Sequence, residues 1–176
     1  MVAACAAAIA LSTIAACSES SSKSAAKSVT TPTNATSGTT PSAADQAESA
    51  AIAAYTGMWK DMAHASDTAN WQDKSLPHHA TGEALAEMVS GLYSLNQKGL
   101  VSRGAPVLHP RLTSSTSTAA DITDCASTTS WLEYVASTGK LKNNTPGGNR
   151  LVKAHVELAD GVWRVTDYTV GELGSC

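Results

Sequence analysis

Residues 18–44 carry a single large apolar side chain, Val29, and more than half of the segment is Ser or Thr. Such a stretch buries too little surface to offset the entropy of ordering it. It reads as a flexible coil spanning about 30 Å, taking about 5–6 Å times the square root of its length. A self-sufficient fold must therefore be built from residues 45–176, which are ample length for one hydrophobic core. The chain has no Phe, so its four Trp and four Tyr must supply much of the bulky packing.

Upstream, residues 2–16 form an uncharged, Ala-rich run too short to remain as a membrane-spanning helix. The run closes on Ile14-Ala15-Ala16-Cys17, which resembles a bacterial lipobox. That resemblance implies a signal peptide over residues 1–16, lipid attachment at Cys17, a tether over 17–44, and a domain held at the outer face of the cell membrane. A plain secretory signal with a chance cysteine is the competing reading. No Lys or Arg precedes the apolar run, where a positive region is expected, and this points to a start upstream of Met1.

Export narrows the cysteine reading. Cys5 falls inside the signal and Cys17 at the lipid site, so Cys125 and Cys176 are the thiols left in the folded part, and an oxidising compartment favours pairing them. A metal or thiol-catalysis role is disfavoured because no CxxC or Cys/His ligand spacing is present. His64, His78, His79, His109 and His155 also lack ligand spacing, and the adjacent pair His78-His79, read as strand or loop, would point apart. No metal and no cofactor is expected. Twelve Lys and Arg against fifteen Asp and Glu, with the basic residues scattered, argue against a nucleic-acid partner.

Along the domain, Ser42 and Asp45 form an S-x-x-D capping signal. Ile52, Tyr55, Trp59 and Met62 then recur at helical spacing, which predicts a helix ending near Ala65-Ser66. Gly57 within it suggests the close approach of another backbone. A helical turn with Trp71 and Leu76 inward precedes Pro77. A second long helix runs from Thr81 through Leu85, Met88, Val89, Leu92 and Leu95, closed by Lys98-Gly99. Strands are expected near 104–115, 118–128, 130–137, 150–159 and 162–170, and Asp160-Gly161 predicts a tight hairpin. Helices and then a meander of antiparallel strands indicate an α+β domain with the helices packed on one face of a curved sheet.

This order, with the GVWRVTDY strand, the Asp124-Cys125 pair and the terminal Cys176, resembles the cone of nuclear transport factor 2-like domains. More narrowly it resembles small actinobacterial lipoproteins that carry this domain behind a Ser/Thr tether. The resemblance covers residues 45–176 and implies a pocket at the wide end of the cone. Tyr55, Trp59 and Trp71 are the candidate lining residues, with ordinary core packing as the alternative. Alternation over Ala120, Ile122, Asp124 and Ala126 turns Asp124 toward the apolar side, where a carboxyl group with a raised pKa would serve as an acid or base. Asp124 with Tyr55 is therefore the candidate catalytic pair, against a bland reading in which Asp124 caps a turn.

No GxSxG, HExxH or phosphate-cradling loop is present. The expectation is a binding module for a small apolar ligand, an envelope component or a protein partner. The alternatives are a pocket enzyme of isomerase, dehydratase or cyclase type and a structural accessory domain. A homodimer through the sheet stays open.

Overall fold

The computed structural model describes residues 41–176, so the signal segment, Cys17 and nearly all of the tether lie outside the described residues. Helix α1 (Ala43–Ser66) begins where the capping signal places it. Asp45 N donates to Ser42 Oγ at 3.1 Å and Ser42 N donates to Asp45 Oδ2 at 3.0 Å, so two backbone donors of the first turn are satisfied reciprocally. Helix α2 (Leu76–His79) is one turn with Pro77 in its first turn, where a missing N–H costs nothing. Helix α3 (Gly82–Gln97) comes next, and Gly99, at φ +65°, turns the chain out of it.

Beyond Gly99 the strands differ from expectation in two respects. A short strand β1 (Leu100–Arg103) succeeds the helix at once, and the strand expected over 104–115 shrinks to β2 (Arg111–Ser115). Pro106 and Pro110 remove donors from the intervening segment, which stays a loop. Next come β3 (Ala119–Ser127), β4 (Leu132–Val135), β5 (Asn149–Ala159) and β6 (Val162–Val170). The second difference is that these strands do not form one meander. Strand β4 leaves the main sheet to pair with β1, and the main sheet runs β2-β3-β5-β6, antiparallel throughout. Irregular register at Leu112/Ser114 and at His155/Val156 bends it. Asp160 (φ +54°) and Gly161 (φ +75°) supply the two left-handed residues that the tight β5–β6 hairpin needs.

Helices α1 and α3 both pack on the sheet, chiefly across β6. The expected α+β class, with helices packed on one face of a curved antiparallel sheet, holds. Its core runs from Ala51, Tyr55, Met58 and Trp59 of α1 and Met88 and Leu92 of α3 to Ile122, Val152, Val156 and Val165 of the sheet. Burying each such large apolar side chain contributes about 1.5–3 kcal/mol.

Gly57 serves a side chain rather than a backbone. A Cβ there would sit 2.6 Å from the His79 ring, whose Nδ1 lies 2.7 Å from Asp61 Oδ2, so glycine is what lets α2 lie against α1. His78 and His79 therefore sit on a helical turn, not on a strand or loop.

Candidate functional site

Alternation along β3 buries Ala120, Ile122, Asp124 and Ala126 toward the helices and leaves Asp121, Thr123 and Cys125 on the other face. Asp124 is thus drawn into an apolar layer and is only 1% exposed. There Tyr55 Oη donates to its Oδ2 at 3.0 Å, and the backbone N–H of His109 donates to its Oδ1 at 2.8 Å. Burial, and next the adjoining Asp124 carboxyl, push the Tyr55 hydroxyl well above the ordinary tyrosine range.

The two residues singled out from the sequence therefore meet. Their surroundings seal the pair inside the core, with Tyr55 0% and Asp124 1% exposed. Through the His109 N–H, Asp124 holds the end of the loop between β1 and β2. The bonds between Val107 and Ser127, N to O in both directions at 2.9 Å, hold its middle.

That loop walls a cavity. Trp59, Met62, Pro106, Ala126, Trp131 and Tyr168 enclose about 270 Å³ together with Thr128, Val152, Val170 and Arg150. Trp59, a buried member of that wall, makes edge-to-face contact with Tyr55 (6.4 Å), Trp131 (6.1 Å) and Tyr168 (5.6 Å). Among the described residues the buried Trp59 indole N–H has no hydrogen-bond acceptor, although it lies close enough to the Tyr55 oxygen to oppose that residue's upward shift slightly. The Tyr168 hydroxyl is pushed up to about 12, by burial first and then by the charge of Glu87 on α3.

Of the three residues expected to line the pocket, Trp59 does so and the other two do not. Tyr55 lies one turn earlier on α1 and is spent on Asp124. Trp71 sits in the turn after α1, packed edge-to-face on Tyr93 at 5.6 Å. Of the walls that sequence reasoning missed, Arg150, Tyr168 and Val170 carried a legible signal. Arg150 continues the inward parity of Val152, Ala154 and Val156 along β5, while Tyr168 and Val170 pair across from Ala154 and Val152.

On the opposite face Cys125 is joined to Cys176, with Cα atoms 5.8 Å apart. Gly171 N donates to Leu151 O and Gly174 N to Asn149 O, both at 2.7 Å, and Leu151 N donates to Ser175 Oγ at 2.8 Å. The C-terminal segment is thereby strapped along β5. Nearby, His155 Nδ1 lies 2.7 Å from Asp121 Oδ1 and its Nε2 lies 3.3 Å from Glu157 Oε1. The hydrogen bond to Asp121 is the main cause that raises the imidazole above its usual value. Among the described residues, no group of three or more His, Cys, Asp or Glu is arranged to hold a metal ion.

No family model matches the chain, and none of the curated proteins does. Solved structures do. The intermembrane-space region of the chloroplast protein ARC6 aligns at a TM-score of 0.52 and 18% identity, covering 70% of this chain and 95% of that one. A protein of unknown function with a cystatin-like fold from Nostoc punctiforme aligns at 0.45 and 9% identity, over 70% of this chain and 92% of its own. A candidate scytalone dehydratase from Novosphingobium aromaticivorans aligns at 0.43 and 12% identity, over 74% and 98%. At these identities the likeness to the ARC6 region is one of fold.

Proposed function

We propose that this chain is an exported lipoprotein, anchored through Cys17 at the outer face of the cell membrane, whose domain binds a small apolar ligand in the cavity beside Trp59. The observation that carries the binding reading is the separation of the two candidate features. The acid and the phenol are sealed in the core and satisfied by each other and by His109 N–H, while the open cavity presents aromatic and aliphatic walls. A general acid must reach within hydrogen-bond distance of the reacting atom, and Asp124 faces Tyr55 instead. The enzyme reading draws on the same Tyr55–Asp124 contact, and it requires that pair to reach a substrate.

Binding is tested by titrating the full chain with apolar compounds while monitoring Trp fluorescence, with chromatography of the same mixtures to detect turnover. Val170 lines the cavity and is 46% exposed, so a large side chain fits there without overpacking the core. Val170→Trp is expected to weaken every ligand that the parent binds. Conversion of any compound at a rate that Asp124→Asn abolishes would replace this reading with the enzyme, since Asn keeps an acceptor for His109 N–H and the variant is expected to fold. Anchoring is tested in the native host, where Cys17→Ala is expected to move the protein out of the membrane fraction. Equal recovery of parent and variant in that fraction, with no acyl mass on either, would remove the lipoprotein half of the proposal.

A further inference from the structure

Among the described residues, Arg150 is the one ionisable cation in the wall of the Trp59 cavity, and its surroundings there leave it short of partners. It is partly buried at the start of β5, paired across the sheet with Ala126, which also lines the cavity. A guanidinium carries five N–H donors. One nitrogen, Nη1, donates to Gly171 O at 2.9 Å, and among the described residues Arg150 makes no other hydrogen bond and no ion pair. Glu87, whose charge bears on Tyr168 from α3, does not pair with it. A cation held against aromatic and aliphatic walls loses hydration, and an anion with matching geometry restores it. Carboxylates match the guanidinium fork. The cavity itself, about 270 Å³, lies just under the usual range of ligand pockets, which begins at about 300 Å³, and so suits a small ligand.

We infer that the ligand is a small amphiphile with one carboxylate head, and that Arg150 receives the head while Trp59, Met62, Trp131 and Tyr168 enclose the apolar body. The inference rests on the binding reading given above and narrows its ligand to a charge class. It also assigns the Gly171 hydrogen bond a role, since the C-terminal strap holds the guanidinium at the cavity's edge.

The probes are decanoate, decanol and decyltrimethylammonium, each below its aggregation concentration. They are titrated into the full chain and into Arg150→Gln and Arg150→Lys, with Trp fluorescence and calorimetry as readouts. Decanoate is expected to bind about tenfold or more tightly than decanol, as befits charge-assisted hydrogen bonds, with the cation weakest. In Arg150→Gln the decanoate preference is expected to fall to about one while decanol affinity is kept, and Arg150→Lys is expected to restore part of the preference. A merely structural Arg150 would instead lower decanoate and decanol affinity in parallel. That outcome, or equal binding of decanoate and decanol by the parent, overturns the carboxylate assignment and leaves the binding reading standing. Failure of all three probes to bind overturns both.

Discussion

Replacing Tyr55 by Phe removes one oxygen from the centre of the core and leaves the aromatic packing against Trp59 in place. The lost hydroxyl is the donor to Asp124 Oδ2, so the change leaves a buried carboxyl oxygen with no protein partner, while Oδ1 keeps the His109 N–H. An acceptor left unsatisfied in a buried site costs about 1–3 kcal/mol. For a domain of this size each kcal/mol moves Tm by about 4 °C, so the variant is expected to melt about 4–12 °C below the parent at neutral pH. Differential scanning calorimetry on both proteins measures this directly. A second signature comes from titration. The Tyr55 hydroxyl is raised in the fold but titrates near its ordinary 10.0 once unfolded. Below pH 10 it therefore imposes no slope, and above it the unfolded state sheds a proton that the folded state keeps, so stability falls. Tyr168, raised to about 12, adds a decline that ends there, whereas the decline due to Tyr55 continues beyond. Tyr55→Phe should flatten the alkaline loss. A Tm within about 1 °C of the parent, together with an unchanged alkaline slope, would refute the claim that this hydrogen bond organises the interior.

The same geometry sets three further expectations. Gly57→Ala gains up to about 1 kcal/mol of helix propensity but thrusts a methyl 2.6 Å from the His79 ring, and the resulting overpacking of about 1–3 kcal/mol should lower the urea midpoint; a raised midpoint would show that α2 moves aside freely. Reduction of Cys125–Cys176, which are 51 residues apart, should destabilise the domain by about 4 kcal/mol on the chain-entropy model, read as a drop in denaturant midpoint, and two thiols freely alkylated in native, unreduced protein would rule out the bridge. The raised His155 imidazole and the lowered Asp121 carboxyl contribute stability only between the two titrations, lost as pH rises through the histidine's and as it falls through the aspartate's; because both side chains are substantially exposed, His155→Gln should cost under about 1 kcal/mol at about pH 5.5 and less at about pH 8.5, and a larger loss at the higher pH would reverse the assignment.

What could be read from the residues divides along the range of the forces involved. Local chemistry was legible. The Ser42/Asp45 capping box, the Asp160-Gly161 turn and the parity that buries Asp124 are each decided within a few residues, by orphan backbone donors, positive φ and the two-residue repeat of a strand. What escaped was decided by partners distant in the chain. Nothing near Leu100–Arg103 announces a strand until β4, far along the sequence, supplies the other half of its ladder. The pocket residues divide in the same way. Tyr55 and Trp59 lie on one face of α1, and their spacing alone treats them alike. Asp124 claims the first from the far side of the core, while Tyr168 of β6 and Trp131, just before β4, open a space beside the second. The same logic separates Trp71, which Tyr93 of α3 captures outside that space. Arg150 combines both ranges, because the parity of β5 did place it on the inner face, among residues whose apolar character makes a charge conspicuous. A cation in register with Val152, Ala154 and Val156 calls for a compensating group, and among the described residues the Gly171 carbonyl engages one of its five N–H donors.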